Sequence, residues 1–301
     1  VSTASVATAS GTSGIQVGIF SPGGGCAGLP GIASYGAWLG RPAQHITENW
    51  TTSTWAALLQ DVTYDLGCYK PLQSTTAFTF GLPMFPGDGV STFAQGAAGA
   101  YDVYYVTIAQ NLVANGYSNA IIRVGPEFNG YWFPWSAYKD PANYVALYQR
   151  IVTLMRSVPG QNFKFDWCTS TGMGNIAPQT VYPGDAYVDY IGEDLYDAVY
   201  NTSMQSPATR WTDFVNEPNG LQWQVTFAQQ HNKMLSFPEW GCCGKNSGDD
   251  PYFVNRVAVW ATTYGYKYMD YWNLNSGGYN GTLTNGQYPN AAKAYISDFH
   301  N

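Results

Sequence analysis

Residues 120–132 read AIIRVGPEFNGYW. Ala120 to Val124 form a short apolar run with β-branched residues, the pattern of a buried strand. Gly125-Pro126 closes it, because Gly and Pro break regular structure. Glu127 follows at once, among rings. A second stretch repeats the plan: Lys233 to Phe237 (KMLSF), then Pro238, Glu239, Trp240 and Gly241. Each places a carboxylate at the C-terminal end of a strand.

Working outward, six more strand-like runs appear: Ile15–Phe20, Ala43–Thr47, Thr75–Leu82, Phe163–Cys168, Val188–Gly192 and Tyr268–Trp272. Between them, Thr54–Leu66, Ala97–Asn115, Asn143–Met155 and Ala291–Phe299 carry apolar residues at helical spacing. Gly67 and Gly116 supply helix stops, and Asp140-Pro141 supplies a start. Eight strands alternating with helices, with no break in composition, predict a single (β/α)₈ barrel over residues 15–301. Residues 1–14, small and hydroxylated, read as a linker or extended arm. A doubly wound sheet is the competing α/β reading, but no G-x-G-x-x-G or phosphate-loop string follows any strand. Helical spacing at 97–115 and 143–155 weighs against an all-β sandwich.

Composition narrows the function. Only 11% of the 301 residues are charged, against about 25% in an average soluble domain, while 16% are aromatic. Such a surface suits an extracellular protein whose rings stack on sugars; a large aromatic core is the plainer alternative. The net charge of −7 disfavours nucleic acid, which needs clustered Lys and Arg. No apolar run is long enough to span a membrane. The expected protein is a secreted monomer, and its start at Val1 suits a processed chain. Of the five cysteines, Cys26 and Cys68 are the expected disulfide. Adjacent Cys242 and Cys243 leave the remaining pairing open. Sequons at Asn49, Asn201 and Asn280 support secretion weakly.

In a (β/α)₈ barrel, strand ends on one face carry the chemistry. A carboxylate among rings is desolvated, which raises its pKa toward a value useful to an acid. Two such groups, Glu127 after strand four and Glu239 after strand seven, are what glycoside hydrolysis requires. Strand alternation places Asp194 and Tyr196 on one side, with Glu193 and Asp197 on the other. Trp132, Trp240 and Trp272 are candidate sugar platforms, with core packing as the competing role. Asp166 is a further possible cleft acid. Asp249 and Asp250, in a Gly/Ser loop, read as solvated.

These residues resemble the retaining glycosidases of clan A, which place an acid/base Glu after strand four and a nucleophile Glu after strand seven. Within that clan they are most similar to glycoside hydrolase family 26, which includes β-mannanases. The likeness rests on Glu127, Asn129, Gly130 and Trp132 (E-x-N-G-x-W), on Trp38, Gly40, Arg41 and Pro42 (W-x-G-R-P), on Glu239-Trp240-Gly241, and on Gly192 to Asp197. It implies Glu127 as acid/base, Glu239 as nucleophile, and Tyr196 in contact with that nucleophile. It also implies a cleft lined by Trp38, Arg41, Asn129, Trp132, Asp194, Trp240 and Trp272. The implied substrate is a polysaccharide, β-1,4-mannan first, with xylan or β-glucan as alternatives. Two departures stand out: Pro126 where the family has His, and Trp240 where it favours Phe.

Other chemistries lack their residues. The chain holds three histidines, no G-x-S-x-G elbow and no H-E-x-x-H string, so neither a serine triad nor a metal or other cofactor is expected. A noncatalytic carbohydrate-binding barrel is the rival from another class. The presence of both glutamates argues against it.

Overall fold

The computed structural model describes residues 14–51, 53–172, 174–199, 206–276 and 279–300. The arm expected at 1–14 therefore lies outside the described residues except for Gly14, as does the sequon at Asn201.

Eight parallel strands close a barrel in chain order. They are β1 (Gln16–Phe20), β2 (His45–Asn49), β3 (Ala77–Leu82), β4 (Ile121–Val124), β5 (Lys164–Ser170), β6 (Tyr190–Val199), β7 (Met234–Lys245) and β8 (Tyr268–Tyr271). β8 returns to β1 with Val17 opposite Met269. The outer layer holds α1 (Gly25–Leu39), α2 (Trp55–Tyr69), the short α3 (Phe93–Ala97), α4 (Asp102–Ala114), α5 (Pro141–Arg156), α6 (Pro207–Asn216), α7 (Leu221–Gln230), α8 (Pro251–Tyr264) and α9 (Pro289–Phe299). Among the described residues between β5 and β6, the connection carries a 3₁₀ turn, Pro178–Val181. The single (β/α)₈ barrel is the fold of this chain.

Local chemistry sets the helix ends. Asp140 accepts from the amide of Asn143, with Pro141 opening α5, and Asp250 does the same for Phe253 ahead of Pro251 in α8. Both are N-cap acids followed by Pro, whose missing N–H costs nothing in the first turn. Asp250 is therefore not the solvated loop acid its surroundings suggested. It is buried and also pairs with Arg210. α1 was hidden in the sequence by its four glycines and Pro30. Small residues are required there: a Cβ on Gly28 would lie 2.2 Å from Ser21 Oγ. The Cys26–Cys68 disulfide, with Cα atoms 4.9 Å apart, joins α1 to α2.

Three strands differ from their expected bounds in ways that matter. β2 lies two residues later than its sequence pattern, which brings Glu48 and Asn49 to the strand's C-terminal end. β6 and β7 run on together past the barrel, with Tyr196 opposite Gly241 and Val199 opposite Lys245. Along β7 the pairing with both neighbours shifts between Ser236 and Trp240. Relative to β8, three steps on β7 from Phe237 to Trp240 match two from Met269 to Tyr271. This extra residue is a β-bulge, and Pro238, which has no N–H for the ladder, sits inside it.

The barrel interior is unusually polar. Ser236 Oγ and Tyr268 Oη donate to Asp166 Oδ2 at 2.6 and 2.5 Å. His45 Nδ1 lies 2.7 Å from Asp270 Oδ2, to which Thr47 also donates. Asp166 is thus part of the barrel filling and not the cleft acid its position allowed.

Candidate active site

β4 ends at Val124, and the next residues turn sharply. Gly125 (φ 56°) donates its amide to Leu82 O, and Glu127 itself is left-handed at φ 52°. A non-glycine residue there is strained, and such strain gathers at functional sites. Two contacts hold it: the Glu127 amide donates to Cys168 O at 3.0 Å, and Trp135 Nε1 donates to Pro126 O at 2.8 Å. Trp132 Nε1 then donates to Glu127 Oε2 at 2.5 Å.

Glu239 reaches the same cavity from the β7 bulge. Its carboxylate receives three donors: Arg123 Nη1 and Asn49 Nδ2 on Oε1, and Tyr196 Oη at 2.9 Å on Oε2. These donors fix the position and orientation of the carboxylate. Arg123 is fully buried and divides its fork between Glu239 and Asp194. Two carboxylates, Asp194 and Glu239, therefore share one guanidinium. Removing Arg123 would strand two buried acids, so Arg123→Ala is expected to cost about 3–5 kcal/mol of folding stability. Urea unfolding checks this, and a midpoint equal to the parent's would contradict it.

The electrostatics single out Glu127. Burial, and next the field of Glu239, push Glu127 up to about 7, against the pull of Arg123 and Trp132. Burial also pushes Asp194 up, although Arg123 pulls it down. Burial and the neighbouring Glu239 raise the Tyr196 hydroxyl well above its ordinary value, so it remains a proton donor.

Among the described residues, the cavity around these groups measures about 680 Å³ and includes Asn49, Glu127, Trp132, Tyr196, Glu239 and Trp272 in its lining. Tyr131 and Trp132 stand at its edge, 66% and 48% exposed, packed edge-to-face with ring centroids 5.2 Å apart. Trp272 packs on Phe20 with ring centroids 4.1 Å apart and stands edge-on to Tyr196.

The structure brings together Glu127, Glu239, Trp132, Tyr196, Asp194 and Trp272, and does not bring in the other four expected residues. Trp38 lies in α1 against Tyr35 and Tyr295. Arg41 follows α1, below the N-terminal end of β2, and donates twice to Phe299 O. The W-x-G-R-P string is thus on the opposite end of the barrel. Trp240 is fully buried, facing outward against Tyr271, Tyr295 and Phe299. Asn129 is buried too and ties its loop to the Ser170 backbone through both amide ends. It shapes the Glu127 turn from behind. Asp197 pairs with Arg210 on the other side of β6, as alternation required.

Asn49 was not expected in the site. Its sequon drew attention to glycosylation, whereas its side-chain nitrogen is engaged with Glu239. Gly81 on β3 makes room for it, since a Cβ there would meet Asn49 Oδ1 at 1.8 Å. A polar residue at the end of a barrel strand is the signal that would have found it. Among the described residues no group of three or more His, Cys, Asp or Glu could hold a metal ion, and no helix is long and apolar enough to cross a membrane.

Comparison with known proteins agrees with this geometry. The sequence model of glycosyl hydrolase family 26 matches residues 105–221, which include Glu127 and Tyr196 but stop short of Glu239. Endoglucanase H of Acetivibrio thermocellus is 33% identical over 125 residues, a match covering 38% of this chain and 13% of that protein's length. The fold is similar to the catalytic domain of the family 26 endo-β-1,4-mannanase of Bacillus sp. JAMB-750, with a TM-score of 0.66 at 18% identity, covering 94% of this chain and 86% of that one. It is similar also to the family 26 β-mannanase of Bacteroides ovatus, with a TM-score of 0.62 at 16% identity, covering 94% and 87%. The chain is thus similar to family 26 glycoside hydrolases in sequence over residues 105–221 and shares their barrel fold.

Proposed function

We propose that the protein is a secreted, retaining endo-β-glycanase acting by double displacement, with β-1,4-mannan as its substrate. The observation that carries the mechanism is the unequal treatment of two carboxyl groups in one cavity. Glu239 is held by three donors, while Glu127 is raised to about 7. Unequal environments of this kind assign acid and nucleophile. Glu239 Oε1 is anchored by two residues, which leaves Oε2, with the Tyr196 hydroxyl alone, as the attacking oxygen. It forms a bond to the anomeric carbon as the glycosidic C–O bond breaks, and Glu127 gives its proton to the departing oxygen. Glu127, now ionised, takes a proton from water, which attacks the same carbon and releases Glu239.

Mannan is favoured by the mannanases that share the fold. The likeness to an endoglucanase over 125 residues favours a β-glucan as the second reading. Pro126 adds to the case for that alternative, because a proline offers no side-chain hydrogen bond where family 26 has His. Reducing-end release from mannan, xylan and mixed-linkage glucan, with sizing of the products, tests the proposal. Oligomers from mannan are expected. Turnover of glucan alone would move the substrate to the second reading, and no turnover of any β-glycan would overturn the proposal.

Glu127 must be protonated to act first, so the rate is expected to fall as pH rises through about 7. A carboxyl at its ordinary value of 4.5 would already be ionised well below that pH. A pH profile of kcat/KM checks this, and an alkaline limb centred near 4.5 would contradict the raised value.

A further inference from the structure

Beyond the cleft, β7 carries two adjacent cysteines, and we infer that Cys242 and Cys243 are joined to each other as a vicinal disulfide behind the wall of the active site. Their sulfurs are 3.0 Å apart, inside ordinary non-bonded contact. Both side chains are fully buried. Neighbouring residues have Cα atoms about 3.8 Å apart, closer than the 4.4 Å or more of ordinary disulfides, so such a ring needs an unusual backbone. Cys243 provides one: its φ is 64°, rare and strained for a side chain other than Gly.

No other cysteine is placed to pair with these sulfurs. Cys26 and Cys68 are already paired, and Cys168 stands apart on β5, its thiol donating to Asp194 Oδ1 at 3.2 Å. The surroundings of the pair hold the sulfurs rather than separate them. The Asp250 amide donates to Cys243 Sγ, and Cys242 Sγ is 3.4 Å from Tyr271 Oη. Burial pushes the Cys242 thiol up, which makes it a poor nucleophile once folded. The bond therefore forms while the chain is still open. One cysteine thiolate attacks a small-molecule or protein disulfide and releases one thiolate. The other then attacks the mixed disulfide and releases the second. Two electrons pass to the external disulfide, which ends as two thiols.

The closed loop is too short for a large entropic gain, so its consequence is local. The Cys242 carbonyl accepts from Tyr279 Oη at 2.9 Å, and the Tyr279 ring packs edge-on against Tyr196, the donor to Glu239. Locking the Cys242–Cys243 turn fixes the backing of that donor.

The test uses the full chain, folded in a glutathione redox buffer and selected for an intact Cys26–Cys68 bridge. It is unfolded in guanidinium with excess iodoacetamide and no reductant, then digested and weighed. The expected result is alkylation at Cys168 alone, with the Cys242–Cys243 peptide lighter than its dithiol by two hydrogens. Alkylation of both Cys242 and Cys243, or a bridge from either to Cys168 or to a second chain, would overturn the inference. Activity is not read, so failure here is distinct from failure of the proposed mechanism.

Discussion

Glu239→Ala is expected to lower kcat by about 10⁴ to 10⁶-fold, the range seen when a covalent nucleophile is removed. The deletion leaves a methyl-sized stub and frees Arg123, Asn49 and Tyr196, which together present donors to an empty place. A small anion fits what those donors hold. Azide should therefore restore turnover of a substrate with a good leaving group, and the product should be the inverted α-glycosyl azide, because one displacement has been lost. Activity like the parent's in Glu239→Ala would sink the assignment, as would an azide adduct of β configuration.

Glu127→Ala is expected to behave differently. Loss of a general acid costs about 10² to 10⁴-fold, but only where the leaving group needs a proton. Hydrolysis of the polysaccharide should fall through that range. An aryl glycoside with an acidic phenol should still form the glycosyl–enzyme at near-parent rate, with a visible burst, and then stall because no base activates water. Azide should speed that second step and give a β-glycosyl azide, the configuration opposite to that from Glu239→Ala. Equal losses on both substrates would argue against an acid role for Glu127. The pH dependence gives a linked check: in Glu127→Ala the alkaline limb near 7 should vanish.

Much of this was legible in the sequence, for identifiable reasons. The strands announce themselves because short β-branched and aromatic runs are bounded by Gly, Pro and helical spacing. Glu127 and Glu239 were found because each follows such a run directly. Tyr196 was implied by the family resemblance, and alternation along β6 put Asp194 on the same side. The failures are equally specific. A string such as W-x-G-R-P carries no statement of which end of the barrel it occupies, and Trp38 and Arg41 lie at the end away from the carboxylates. Trp240 was misread because the bulge that turns Glu239 into the cavity leaves its neighbour facing α9. Asn49 was missed because β2 runs two residues further than its apolar pattern. The depth of the site depends on contacts between distant strands. Arg123 on β4 joins Glu239 on β7 to Asp194 on β6, and no local pattern encodes that meeting.

Double displacement requires a covalent bond at Glu239. Incubation with a 2-deoxy-2-fluoro glycosyl fluoride of the sugar released in the substrate screen should trap the glycosyl–enzyme, since the fluorine slows its hydrolysis. Digestion and mass spectrometry should then find the label on Glu239, within the peptide that carries Pro238 and Trp240. A label on Glu127 or another residue, or steady turnover with an inverted product and no trapped adduct, would contradict it.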